Sequence, residues 1–504
     1  MLPRILSVAA PLFVYATIGL LAWGLWHERK KLEWLALAPA LAGLIASFAV
    51  LAPIHRLFFD EDVYINIGSN LTRAPVAQTT LLGGPDEVEV STYYKQPPGW
   101  PVLLSLVFLL AGRTETVAFV FARILFAIAI AAVYHLSREA SQTKRQALAA
   151  AILFGAVPVC FWFSVSSGTD IPAALFATLG MWGCLAGNGP LAAAAFALAA
   201  QTRMELIVLV PIIWLSGKIP VKWKAIAAAL LVAEIAHIGW LMTVTPVLAA
   251  AEKAPVWMSL AFIPGNLVSN LKYLLNPMQF PAGVMAAAVA AVVAWNGKGG
   301  KGLLALQIAA MFGVYMLFYA GSFDLNPRYS IQFLAPLAVV AASALTRPVF
   351  IAGAILSLVF PYTLHMEFTG YLQALAADHQ LSAQFASQLG PTDLVLSTEP
   401  QIFLNQGRRA MDAAFASERR DKLDEVMRRR GKIWYHAGAT TNLAETREWR
   451  ADQWVKSNLE LHLIDSHEVA GTKIAFYEVL LKLVDREAGL RGSFEGDRNR
   501  PERR

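Results

Sequence analysis

Charge is scarce in this chain. Only 15% of its 504 residues are Asp, Glu, Lys or Arg, where a soluble protein carries about 25%. Polar sequence is short overall: 56% of residues are hydrophobic and the mean hydropathy is +0.49. That balance argues against a soluble protein and against a disordered chain, and it leaves an integral membrane protein. Cysteine is almost missing. Cys160 and Cys184 lie in apolar runs near opposite membrane faces on the topology below, so they read as small buried hydrophobes rather than a disulfide or metal pair. There is no glycine-rich nucleotide fingerprint. The net charge of +6 comes with no basic face and reads as loop and tail basicity, not a nucleic-acid footprint.

Apolar runs fill residues 1–365, and charge crowds the rest, as in Glu418-Arg419-Arg420-Asp421-Lys422 and Arg428-Arg429-Arg430. This break divides a membrane domain, 1–365, from a small domain, 366–490, with a polar tail at 491–504 expected to be disordered. The run Leu6–Trp26 spans a bilayer and lacks a small-residue cleavage site. Further spans are expected at Glu33–Ile54, 116–136, 147–164, 171–187, 190–202, 205–217, 224–247, 281–296, 303–320, 330–346 and 348–364. Trp100–Ala111 is too short to cross and suits an interfacial or re-entrant helix, as does Trp257–Leu275. With that parity roughly a dozen Lys and Arg fall in cytoplasmic loops against about eight in much longer outer loops. The fold class expected is an all-α polytopic membrane protein of about twelve helices, both termini outside, with a small C-terminal α/β extracytoplasmic domain. Its strands are expected at Asp393–Ser397, Ile433–His436, Leu459–Asp465 and Lys473–Leu481.

Ionisable groups at lipid level are expensive and mark function by default. Here most sit at the outer ends of spans. Asp60-Glu61-Asp62-Val63-Tyr64 opens an amphipathic helix, with Asp60 and Tyr64 on one face. Tyr93-Tyr94-Lys95-Gln96-Pro97-Pro98 holds a lysine at the interface, suited to a lipid phosphate. Asp170 opens an apolar helix, Arg203 and Glu205 lie between two short spans, and Arg328-Tyr329 follow Asn326-Pro327. Each has a plain structural account as well: a helix cap for Asp60 and Asp170, a snorkelling lysine, mutual pairing of Arg203 with Glu205. Arg123, Glu234 and His237 read as pairing within the bundle, and His55 with Arg56 as interface anchors.

Taken in order, Asp60-Glu-x-x-Tyr64, Tyr93-Tyr94-Lys95-x-Pro97-Pro98, Ala122-Arg123, Asp170-Ile-Pro, Thr202-Arg203-x-Glu205 and Pro327-Arg328-Tyr329 resemble the GT-C superfamily of membrane glycosyltransferases, nearest the protein O-mannosyltransferase and lipid A aminoarabinose transferase branch. The resemblance covers about residues 55–345. It implies transfer of a sugar from a polyprenyl-phosphate donor to an acceptor hydroxyl on the outer face of the cytoplasmic membrane. The acceptor is a glycolipid, lipopolysaccharide or protein. Asp60 is then the general base, with Asp62 as the alternative match, and Asp170 either orients the acceptor or holds a second carboxylate near Asp60. Lys95, Arg203 and Arg328 neutralise the leaving phosphate, while Glu61, Asp62, Tyr64, Tyr94, Glu205 and Tyr329 support them. The acidic triad suits a divalent ion, yet the cations suffice for the phosphate, so no cofactor is fixed. A transporter or flippase is the alternative of a different class, with Glu234 and His237 as its best support.

Overall fold

The computed structural model describes residues 2–53, 55, 59–79, 97–244, 257–276, 300–343, 370, 373–418, 420, 423–424, 432–442 and 446–480. Arg56, Tyr94 and Lys95, the spans expected at 281–296 and 348–364, and the tail 491–504 lie outside the described residues. The chain divides into two compact units, one drawn from Met1–Leu82 and Ser91–Leu372 and one centred on Gln373–Arg504.

The first unit is helical. α1 (Leu2–Glu28) is apolar until the charges of Arg29–Lys31 end it, and α2 (Leu37–Val50) follows. α3 (Phe59–Leu71) opens on Asp60, Glu61 and Asp62, which suit the positive end of its dipole. α4 (Gly99–Ala111) begins after Pro97-Pro98. α5 (Glu115–Glu139) is capped by Thr114, and α6 (Lys144–Ala156) by a Thr143–Gln146 capping box. The run 147–164 is not one helix: Pro158 cannot donate to the preceding turn, and α7 (Pro158–Phe163) starts there. α8 (Asp170–Ala186) stops at left-handed Gly187, and α9 (Gly189–Thr202) starts behind an Asn188 cap.

The run 205–217 also breaks, into a 3-10 turn at Met204–Leu209 and, past Pro211, the single turn of α10 (Ile212–Leu215). α11 (Val221–Val244), α12 (Ile263–Leu275), α13 (Lys301–Leu317) and α14 (Ile331–Ala342) complete the described helices of this unit.

Three described helices are long and apolar enough to cross a membrane alone, over Val8–Lys31, Glu115–Glu139 and Val221–Leu241. The others are shorter. The 14 residues of α9 rise only about 21 Å, against a hydrocarbon core of about 30 Å. α9 packs on α8, α1 and α11, so its end and the irregular backbone after it are enclosed by protein. That is the setting in which non-helical backbone is tolerated at membrane depth. α12 is inverted relative to a soluble helix: Asn266 and Asn270 point inward, and Val268, Leu271 and Leu275 outward. Asn266 donates to the carbonyls of Tyr315, Met316 and Phe318, and Asn270 binds the Gly321 carbonyl and the Phe323 N–H. The apolar outer face suits contact with lipid.

The second unit carries a five-stranded sheet of order β2-β1-β3-β5-β4, built from β1 (Leu394–Ser397), β2 (Arg409–Asp412), β3 (Ile433–Ala437), β4 (Glu460–Val469) and β5 (Thr472–Leu480). β2, β1 and β3 are parallel, and β5 and β4 form an antiparallel hairpin with a bulge at Leu463/Asp465. The helix Arg447–Asn458 covers one face with Ala451 and Val455 against Leu394, Met411 and Tyr435. β2 was not anticipated: four residues beginning with Arg and ending in Asp show no alternation, and pairing with β1 decides them.

Three buried polar residues tie this unit together. His436 on β3 bonds Asp378 through Nε2 at 2.8 Å and Ser397 on β1 through Nδ1 at 2.9 Å. Asp378 also accepts from Ser382 and the Ala439 N–H. A Cβ on Gly438 would fall 2.7 Å from the Asp378 carboxylate, so the loop after β3 needs glycine there. Burial works against the charged Asp378, but the His436 partner outweighs it and lowers the Asp378 pKa. Its stabilising effect is therefore complete above the ordinary carboxylate pKa and lost as pH falls through the lowered value. Asp378→Leu is expected to cost about 3 kcal/mol, seen as faster proteolysis within the second unit of the full-length protein. The wild-type unit should hold its protection from neutral pH down to about pH 4.

Candidate active site

Arg203 is the centre of the site. α9 ends at Thr202, and Arg203 turns into extended backbone with φ −141°. Its guanidinium pairs with Asp170 at the start of α8 and with Glu205 two residues on. Arg203 and Asp170 are both buried. Tyr315 on α13 donates its hydroxyl to the same Glu205 oxygen at 3.3 Å. The Tyr315 ring stacks on Tyr329 with centroids 4.9 Å apart. Tyr329 in turn lies under two cations, with Arg203 at 5.0 Å and Arg328 at 5.5 Å from its ring centre.

Arg328 reaches the acidic helix. Its Nη1 is 3.5 Å from the Asp60 carboxylate, whose side chain is 29% exposed. The three consecutive acids of α3 therefore separate. Asp60 faces Arg328, while Glu61 and Asp62 are buried. Glu61 accepts from the Ser166 hydroxyl and the Ser167 N–H, tying α3 to the loop before α8. Asp62 and Glu61 face His55, which also lies 3.5 Å from Glu115. Between Asp60 and Asp62, the alternatives left by sequence, the arginine cluster is beside Asp60. Tyr64, one turn along, is buried. Burial and the nearby Asp60 raise its pKa well above that of a free phenol, so it stays a neutral hydrogen-bonding group.

His55 is not an interface anchor. It is buried among carboxylates: desolvation opposes its charge, but Asp62, Glu115 and Glu61 outweigh this and raise its pKa to about 10. His55, Asp62 and Glu115 each offer a ligand atom, all within 4.8 Å of one another. In this unit they are a set whose donor chemistry suits a divalent ion as well as a proton.

The approach to the site from the first polar loop is fixed by Gly99. A Cβ there would lie 2.6 Å from the Gln201 carbonyl, so the Pro97-Pro98-Gly99 turn presses directly on the end of α9. Trp100 next to it donates to the Ser167 carbonyl at 2.7 Å. Tyr94 and Lys95 lie outside the described residues. The intramembrane groups have structural partners: Arg123 donates to the Leu51 carbonyl at 2.7 Å, Glu234 accepts from Gln201, and His237 stacks on Trp240. Sequence reasoning overlooked Tyr315, Gln332 and the inward role of His55. Tyr315 carries no local motif. Gln332 has one faint signal, a lone amide in an otherwise apolar run.

Residues 95–246 match the family model of dolichyl-phosphate-mannose-protein mannosyltransferases. No curated protein matches the sequence. Among solved structures, ArnT from Cupriavidus metallidurans bound to undecaprenyl phosphate is 12% identical with a TM-score of 0.55, over 87% of this chain and 97% of that one. The arabinofuranosyltransferase AftD from Mycobacteria is 15% identical at TM-score 0.53, over 89% of this chain and 40% of that one. The Archaeoglobus fulgidus oligosaccharyltransferase tethered with an acceptor peptide is 12% identical at TM-score 0.50, over 88% of this chain and 74% of that one.

The separation of the acids gives a prediction. Glu61→Leu strands the Ser166 hydroxyl and the Ser167 N–H and should cost about 3 kcal/mol, read as a lower unfolding midpoint in detergent. Asp60→Leu should leave that midpoint nearly unchanged, since its ion pair is half-exposed and worth under about 1 kcal/mol.

Proposed function

On this fold, which is that of the GT-C membrane glycosyltransferases, we propose that the chain moves a sugar from a polyprenyl-phosphate donor to an acceptor hydroxyl. The reaction takes place at the outer face of the cytoplasmic membrane, where the second unit also lies. One observation carries the reading: a partly exposed carboxylate, Asp60, stands 3.5 Å from Arg328, and Arg328 and Arg203 both lie against the Tyr329 ring. A base and two phosphate-binding cations thus converge on one corner of the bundle. The match to mannosyltransferases and the undecaprenyl phosphate in the neighbouring ArnT structure fit the same chemistry.

Asp60 takes the proton of the acceptor hydroxyl as its oxygen bonds to the anomeric carbon. The bond from that carbon to the phosphate oxygen breaks, and the pair leaves with the phosphate, inverting the centre. Phosphate is a good leaving group, so the protein supplies charge stabilisation rather than an acid, through Arg203 and Arg328. Three carboxylates, Asp60, Asp170 and Glu205, face these two guanidiniums. One negative charge is left over, so an anionic donor needs a further cation, and Lys95 is assigned that task. Asp170 is the second carboxylate of the site, paired with Arg203. Glu205 with Tyr315 and Tyr329 fixes Arg203, and Tyr64, Tyr94, Glu61 and Asp62 shape the loop.

The test is turnover of purified protein with undecaprenyl-phosphate sugars. Asp60→Asn should lower kcat by about 10²-fold or more, and Arg203→Ala should lower kcat/KM for the donor. Full turnover by Asp60→Asn would remove Asp60 from the chemistry.

A further inference from the structure

Three oxygen atoms beside this site lack a hydrogen-bond partner. Asp170 gives one carboxylate oxygen to Arg203 and leaves Oδ2 unpaired. Gln332 donates its amide N–H to the Asp170 carbonyl at 3.3 Å and leaves Oε1 unpaired. The Ser167 hydroxyl is unpaired as well. All three side chains are buried, with 1%, 1% and 0% exposure respectively. Their residues belong to the elements that carry the candidate catalytic groups: Ser167 stands three residues before Asp170, and Gln332 touches Asp170 through its carbonyl. Ser167 is tied through its N–H to Glu61 on α3. Asp170 opens α8. Gln332 is in the first turn of α14, four residues after Arg328.

A buried polar atom without a partner costs about 1–3 kcal/mol. Three on these elements call for an explanation in a ligand. Two of them, a carboxylate oxygen and an amide oxygen, only accept. The missing partner therefore donates, which a phosphate does not. On the reading above, Arg203 and Arg328 hold the phosphate, so the nearest donors on the substrate are the hydroxyls of the sugar it carries. We propose that Gln332, with Asp170 Oδ2 and the Ser167 hydroxyl, is the specificity element that reads ring hydroxyls of the transferred sugar. These side chains are closed off from solvent. The donor phosphate opens the way by replacing Asp170 on Arg203, which frees that carboxylate to turn toward the sugar.

The inference rests on the proposed function, and the experiment separates the two. Binding is measured in nanodiscs for bare undecaprenyl phosphate and for the same lipid carrying mannose, glucose, galactose or 4-amino-arabinose. Wild type should prefer at least one sugar-linked lipid over the bare one. Gln332→Leu should reduce that preference about tenfold and leave bare-lipid binding within about twofold, which also reports an intact site. Ser167→Ala, a smaller change, should reduce the preference in the same direction. An equal loss on bare and sugar-linked lipid, or an unchanged preference in both variants, overturns the inference and assigns the three oxygens to buried water. Wild type that binds no undecaprenyl phosphate at all overturns the proposed function along with it.

Discussion

Arg203 held between Asp170 and Glu205 is the interaction on which the site depends. A guanidinium buried this deeply is tolerable only with carboxylate partners in good geometry. The pair brings the start of α8, the end of α9 and the following 3-10 turn to one point. Tyr315 and Tyr329 then pack on what that pairing has fixed, and Tyr329 brings in Arg328. Remove Arg203, and two acids are left facing each other in a dry corner.

Helix length makes that corner available. α1, α5 and α11 are long enough to cross a bilayer, while α8 and α9 stop after 17 and 14 residues. Short helices enclosed by long ones leave room at membrane depth for turns and charged side chains. A full-length span would fill that room with apolar side chains. The same arrangement explains the two broken runs, at Pro158 and Pro211, each of which lies beside the polar corner in sequence.

The α3 acids show how one helix gives three neighbouring carboxylates three different environments. Adjacent residues on a helix point about 100° apart, so three consecutive carboxylates cannot share an environment. Glu61 takes the Ser166–Ser167 loop, Asp62 turns to His55, and Asp60 keeps its exposure and meets Arg328.

The sequence by itself determined the membrane class, the change after residue 365 from apolar to charged composition, and the ionisable residues from which the polar cluster is drawn. Those follow from composition and from the cost of charge near lipid, which are local properties. It also marked four of the five strands, because their β-branched and aromatic runs are local too. Only the tertiary structure decided which acid of Asp60-Glu61-Asp62 meets an arginine, since that depends on the rotation of α3 against elements over 250 residues away. The same holds for Tyr315 on Glu205, for His55 turned inward, and for Gln332 beside Asp170. Each is a contact between distant segments, and no spacing along the chain encodes it.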